Sequence, residues 1–256
     1  MTAPAIRAMK GGRIVAVTAY DAPTAKMADD AGVDIVLVGD SLGNTVLGFE
    51  STIPVSLEQM VHHTAAAARG CKRAMLVADM PFGSYQSSVS QGVDGAVTLI
   101  KAGAQAVKLE GAYVETISAL IKAGIPVMGH VGFTPQSVNK FGGYRVQGRG
   151  KHAETLIADA KAIAEAGAFS IVAELIPASV AARLTKEVEV PIIGIGAGLE
   201  CDGEVQVFSD VLGLAPGDPF KHTKRYATLY DAAVEALKKY AEEVRACRFP
   251  TDDNSF

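Results

Sequence analysis

The sequence predicts an α/β fold, a (β/α)8 TIM barrel formed by one domain over residues 1–256, with a C-terminal helix and a short polar tail. Three observations predict it. Eight short apolar runs rich in Val and Ile alternate with longer, Ala-rich amphipathic segments. An Ala-Gly pair stands between a helical segment and the next apolar run at four places. The chain has 256 residues. A prior of ~150 residues per domain leaves one or two domains open, but a barrel of this kind takes ~250 residues as a single unit.

The apolar runs cover residues 13–20 (RIVAVTAY), 34–40 (DIVLVGD), 74–81 (AMLVADMP) and 106–111 (AVKLEG). They continue at 126–132 (PVMGHVG), 170–177 (SIVAELIP), 191–198 (PIIGIGAG) and 207–214 (VFSDVLGL). The first seven are continuously apolar, as parallel strands buried on both faces must be. The eighth is weaker. The Ala-Gly pairs are Ala31-Gly32, Ala102-Gly103, Ala123-Gly124 and Ala166-Gly167. Glycine there closes a helix in the left-handed conformation. Ser56-Leu57-Glu58-Gln59 reads as a capping box opening a helix to Arg69, stopped by Gly70. Residues 226–247 have the length and Ala/Glu/Lys content of a helix, and residues 251–256 are expected to fray. Two long connections, 41–54 and 133–150, follow the second and fifth runs. That is the end of a barrel where active-site loops lie. A doubly wound open sheet is the structural alternative. Its dinucleotide form needs GxGxxG after a strand, and the candidate Gly194-Ile195-Gly196-Ala197-Gly198-Leu199 lacks the last glycine and comes late in the chain.

Bulk composition narrows the function. Hydrophobic residues at 49% and charged residues at 20% exclude a disordered chain. Lys plus Arg number 24 and Asp plus Glu 28, a net charge of −4 with no basic block, which excludes a nucleic-acid footprint. Cys71, Cys201 and Cys247 are widely spaced and form no CxxC, so neither a zinc ribbon nor a disulfide framework is expected. No apolar run approaches the ~18 residues of a membrane span. A cytoplasmic protein without membrane partners is expected.

An ionisable residue stands where successive runs stop: Asp40, Asp79, Glu110, His130 and Glu174. Neighbouring strands lie ~4.8 Å apart, so carboxylates ending the second, third and fourth strands can converge at the barrel mouth. Carboxylates that close repel one another unless a cation lies between them. An all-oxygen donor set points to Mg²⁺ or a similar hard ion, with Asp40, Asp79 and Glu110 as metal ligands. Lys108 shares a strand face with Glu110 and suits an anionic substrate. A metal beside a lysine fits a 2-oxo acid, and Glu174 is left as the base that forms an enolate. The residues alone do not identify the electrophile.

The blocks TAYD (18–21), LVGDSLG (37–43), STIPVS (51–56), ADMPFGSY (78–85), VKLEG (107–111), GHVGFTPQSVNKFGGYRVQGR (129–149) and the glycine-rich stretch 190–198 resemble the ketopantoate hydroxymethyltransferase family in order and over most of the chain. The resemblance implies a transferase of pantothenate biosynthesis. Such an enzyme moves a hydroxymethyl group from 5,10-methylenetetrahydrofolate to 3-methyl-2-oxobutanoate, giving 2-dehydropantoate through a Mg-stabilised enolate. It implies Mg²⁺ on Asp40, Asp79 and Glu110, oxo-acid contacts at Asp40, Ser41, Asp79 and Lys108, and proton abstraction by Glu174. His130, inside a matching block, is expected to line the substrate pocket. A homo-oligomer, a decamer, is also implied. The chain departs from the family pattern at Ala112, where a glycine is common, and at Ser209, where a histidine is common. Two other functions compete: a related Mg-dependent oxo-acid lyase or mutase barrel, and a non-catalytic metabolite-binding barrel. The lyases usually carry a KKCGH-like cysteine loop, which does not occur here. A scaffold has no reason to bury uncompensated charge.

Overall fold

The computed structural model describes all 256 residues, Met1–Phe256. They fall into two compact units, Met1–Val207 and Phe208–Phe256.

The first unit contains a closed barrel of eight parallel strands in sequential order. The strands are β1 (Ile14–Thr18), β2 (Ile35–Val38), β3 (Met75–Asp79), β4 (Ala106–Lys108), β5 (Val127–Gly132), β6 (Ser170–Glu174), β7 (Ile192–Ile195) and β8 (Gly203–Gln206). A five-residue helix α1 (Ala3–Arg7) precedes β1. The crossovers carry α2 (Ala22–Asp30), the short α3 (Leu42–Thr45), α4 (Leu57–Gly70), α5 (Val89–Lys101), α6 (Val114–Lys122), the short α7 (Val138–Phe141), α8 (His152–Glu165) and α9 (Ala178–Glu187). The expected (β/α)8 architecture is therefore present.

Side-chain parity divides the core into two layers. Alternate strand residues Ile14, Ile35, Leu37, Met75, Val77, Ala106, Met128, Val172, Ile193 and Val205 fill the barrel interior, joined by Ala3 and Ile6 of α1. The intervening residues, among them Val36, Leu76, Val107, Val131 and Ile171, pack outward with Ala25 of α2, Leu99 of α5 and Ile163 of α8. Burial on both faces requires the near-continuous apolar runs of β2 to β7; β1 departs from that expectation, with Val15 on its outer face 52% exposed.

The eighth strand is a correction. It lies at Gly203–Gln206, and residues 208–212 of the expected strand form a helix instead. Glu204 points outward and is exposed while Val205 points inward and is buried. A strand covered on one face alternates in polarity, so no apolar run marks it. Gly203 pairs with Ile14, and a Cβ there would lie 2.4 Å from the Ile14 carbonyl oxygen, so glycine permits the closing contact.

The four Ala-Gly pairs behave as expected: Gly32, Gly103, Gly124 and Gly167 have φ of 87°, 114°, 82° and 105°. The helix opened at Ser56 stops at Gly70 as expected, with Cys71 beyond it extended. A Cβ on Gly70 would lie 2.1 Å from the Ala22 carbonyl oxygen, so this glycine also admits the start of α2. The capping box at Ser56 is present, with the Ser56 N–H donating to Gln59 Oε1 at 2.9 Å.

In the second unit, α10 (Phe208–Leu212) is followed by α11 (Leu229–Arg245). The Tyr226 N–H donates to the Val211 carbonyl and the Tyr230 N–H to that of Gly213, both at about 2.9 Å or less. Ser209 lies on α10. The tail does not simply fray, because Asp252–Asn254 form a 3-10 turn capped by Thr251.

Candidate active site

The strand register assembles the site. Asp79 and Lys108 are direct partners in the β3–β4 ladder, and both point inward. Their side chains meet at 2.6 Å, Nζ to Oδ1, with each about 5% exposed or less. Asp40 lies two residues past the end of β2, on outward parity. The chain turns there, and the Asp40 N–H donates to Asp79 Oδ2 at 3.0 Å. Gly39 allows that turn: a Cβ on it would lie 2.8 Å from Ser41 Oγ and 3.5 Å from Asp79 Oδ2. Ser41 Oγ is 2.9 Å from Tyr20 Oη.

Glu110 and His130 continue the inward faces of β4 and β5 and are buried. Glu174 ends β6, also inward, and its side chain is 18% exposed. His130 lies between the two glutamates, Nδ1 at 3.6 Å from Glu110 Oε1 and Nε2 at 3.4 Å from Glu174 Oε2. Burial, reinforced by the Lys108 charge, holds the imidazole well below its usual pKa. The ring is therefore neutral, and these are not ion pairs. Asp40, Ser41, Asp79, Lys108, Glu110, His130 and Glu174 all stand on the C-terminal side of the strands, where barrel enzymes hold their chemistry.

The electrostatics are those of a crowded acidic cluster. Burial and then the Asp79 charge push Asp40 up to about 7. Burial and then Asp40 raise Glu110 well above the usual carboxylate range. Burial works against the Lys108 ammonium, but Asp79, Glu110 and Asp40 outweigh it and hold the group charged. One ammonium thus faces three buried carboxyls.

No three of the His, Cys, Asp and Glu side chains stand ready-arranged around a metal ion. Lys108 takes Asp79 Oδ1, and Gln136 Nε2 takes Asp40 Oδ2 at 2.8 Å. The donor chemistry nevertheless fits a hard divalent cation. The set is all oxygen, negative charge is in excess, and the buried Glu110 Oε1 has no hydrogen-bond partner.

Sequence reasoning missed Gln136, which touches Asp40 and Glu110. Its available signal was a glutamine just beyond a strand end, inside the longest matching block. Tyr85 Oη donates to Gln136 Oε1 at 2.7 Å and accepts from the Glu110 N–H at 3.1 Å. A cavity of about 540 Å³ opens beside the cluster, lined by Glu110, His130, Gln136, Tyr113, Lys140 and Phe141. Ala112 also lines it.

A barrel mouth of this composition can bind an oxo acid and move a proton, which leaves several families open. The sequence model described as ketopantoate hydroxymethyltransferase matches residues 1–252. The chain belongs to this family. Two relatives named 3-methyl-2-oxobutanoate hydroxymethyltransferase support it along more than nine-tenths of their length. That of Moorella thermoacetica is 53% identical over 262 residues, covering 100% of this chain and 97% of the relative. That of Ignicoccus hospitalis is 54% identical over 243 residues, covering 94% and 92%. Among solved structures, an oxaloacetate acetylhydrolase aligns with a TM-score of 0.64 at 14% identity, over 99% of this chain and 90% of that one. A phosphonopyruvate hydrolase aligns with a TM-score of 0.63 at 18% identity, over 100% and 92%. These last two share the fold. The ketopantoate hydroxymethyltransferase family makes the chain an enzyme, a transferase.

Proposed function

We propose that the chain transfers a hydroxymethyl group from 5,10-methylenetetrahydrofolate to 3-methyl-2-oxobutanoate, giving 2-dehydropantoate and tetrahydrofolate, in pantothenate biosynthesis. The observation that carries this reading is the buried Lys108–Asp79 pair set among Asp40 and Glu110, with Glu174 across the same barrel mouth. Lys108 and Ser41 bind the oxo acid, the ammonium matching its negative charge. Asp79 holds Lys108 charged and in place. Asp40, Asp79 and Glu110 hold Mg²⁺, which when bound supplies Lewis acidity toward the substrate oxygens. Glu174 takes the C3 proton, and the electron pair of that C–H bond moves into the enolate of the oxo acid. One methylene–nitrogen bond of the folate opens to an iminium, water adds to that carbon, and the second bond breaks to release formaldehyde and tetrahydrofolate. The enolate carbon adds to the formaldehyde carbon, and the resulting alkoxide takes the proton held by Glu174. Neutral His130 lines the oxo-acid pocket and borders both glutamates.

Residues 1–256 act as one functional domain. The enzyme acts in the cytoplasm on small molecules, as a homo-oligomer, the decamer that the family resemblance implies, without nucleic-acid or membrane partners. No helix is long and apolar enough to cross a membrane.

The test is product formation. Incubation with 3-methyl-2-oxobutanoate, the folate and Mg²⁺ yields 2-dehydropantoate and tetrahydrofolate in equal amounts. Turnover stops when the folate is omitted or the cation chelated. No 2-dehydropantoate under the complete conditions contradicts the reading.

A further inference from the structure

Gln136 sits on a 3-10 turn (Pro135–Ser137) just beyond β5 and is 5% exposed. Its side-chain amide has two donor hydrogens and one acceptor oxygen with two lone pairs. All four are used. Nε2 donates to Asp40 Oδ2 at 2.8 Å and to the Met80 carbonyl at 2.9 Å. Oε1 accepts from Tyr85 Oη at 2.7 Å and from Gln86 Nε2 at 3.0 Å. A flipped amide would set Oε1 against two acceptors and Nε2 against the Gln86 amide donor. The neighbours therefore fix which end meets Asp40. The backbone of the same residue donates to Glu110 Oε2 at 3.0 Å.

One residue thus grips carboxyls that follow two different strands, β2 and β4. The grip occupies one oxygen of each and leaves Glu110 Oε1 without a hydrogen bond. Tyr85 Oη stiffens the arrangement, because it also accepts from the Glu110 N–H at 3.1 Å. An amide whose every donor and acceptor is used inside a buried network is held rigidly in one geometry.

We propose that Gln136 is the positioning residue that sets the Asp40 and Glu110 carboxyls relative to each other for cation binding. The inference rests on the cation site of the proposed function. Gln136 contacts the carboxyls that would hold the ion, not the ion itself. It acts by deciding which carboxylate oxygens face the ion.

Mn²⁺ is the probe, followed through the electron paramagnetic resonance of the free ion, with full-length protein and 3-methyl-2-oxobutanoate present. Gln136→Met keeps the length and removes donors and acceptor. It raises the Mn²⁺ Kd tenfold or more and alters the bound-ion spectrum, with the far-UV circular dichroism of the wild type retained. Folded Gln136→Met that binds Mn²⁺ with wild-type affinity and spectrum overturns the proposal. If Gln136→Met does not fold, Tyr85→Phe decides. It keeps the ring, which sits 5.1 Å from that of Tyr113, and removes only the hydroxyl that orients the amide. It raises the Kd threefold or more, and an unchanged Kd overturns the proposal. Wild-type protein that binds no Mn²⁺ defeats the cation reading and this inference together, whereas wild-type binding that the variants retain defeats this inference alone.

Discussion

Lys108 Nζ lies 2.6 Å from Asp79 Oδ1 because the β3–β4 register makes these residues direct ladder partners with inward side chains. The pair is buried, so removing one partner strands the other charge, at a cost of about 3–5 kcal/mol. Lys108→Met loses that much stability in urea unfolding of metal-free protein. Adding Asp79→Asn restores most of it, because the stranded charge disappears. A single variant within about 1 kcal/mol of wild type would show the pair to be solvated.

Asp40 gives a pH dependence of definite sign. Burial, then the Asp79 charge, push its carboxyl in the fold up to about 7 from the ordinary 3.8. Between those values the folded protein holds a proton that the unfolded chain has lost. Stability from this group therefore falls as pH rises from about 4 to about 7. Neutral His130 acts in the opposite direction, since below its usual pKa only the unfolded chain takes up its proton. The comparison with Asp40→Asn removes that contribution. Chelated Asp40→Asn gains melting temperature relative to wild type as pH goes from 5 to 7. A gap that stays constant or narrows would mean Asp40 is not raised.

The opposite end of the barrel is fastened by Asp202. Its carboxylate accepts from the N–H groups of Gly11 and Ile192 and from Lys10 Nζ, each at 2.8 Å. Its carbonyl accepts from the Ile14 N–H at 2.8 Å. Asp202→Ala removes the carboxylate contacts and lowers stability by about 2–4 kcal/mol. Thermal unfolding then shifts down by roughly 5–15 °C. Proton exchange at C3 of the oxo acid, measured at 25 °C, is unaffected because the reacting residues stand at the other rim. Loss of exchange with unchanged stability would reverse this assignment.

Much of this was legible in the residue order. Six strands, β2 to β7, announce themselves as apolar runs because helices cover their outer faces, and β1 does so only because its exposed outward residue is a valine, Val15. The eighth hides because Glu204 stands exposed on its outer face, so polarity alternates. Asp79, Lys108, Glu110, His130 and Glu174 were legible because period-two parity turns a strand end into a direction. Asp40 reaches the cluster through a turn at Gly39 that parity does not encode. Gln136 left only its place just beyond a strand end as a signal, since a hydrogen-bond network that closes across the loops after β2, β3, β4 and β5 leaves no periodic mark. Gly70 does stop α4, but taking it only as a helix stop needs one correction, since its missing side chain also admits Ala22 of α2.

That correction is itself testable. Gly70→Ala drives a methyl group into the Ala22 carbonyl and forces α2 and α4 apart. The cost is about 1–3 kcal/mol in urea unfolding. A neutral or stabilising effect, the usual result of Gly→Ala inside a helix, would deny the contact.

The central claim is that Glu174 removes the C3 proton at a mouth organised by Lys108 and the three carboxyls. The most direct measurement follows 3-methyl-2-oxobutanoate by proton NMR in D₂O with Mg²⁺ and no folate. Wild-type enzyme replaces the C3 hydrogen by deuterium, and the methyl doublet collapses. Glu174→Gln retains Mg²⁺ binding but slows that collapse by about 10²-fold or more. Exchange at the wild-type rate in Glu174→Gln, or none in the wild type, contradicts the claim.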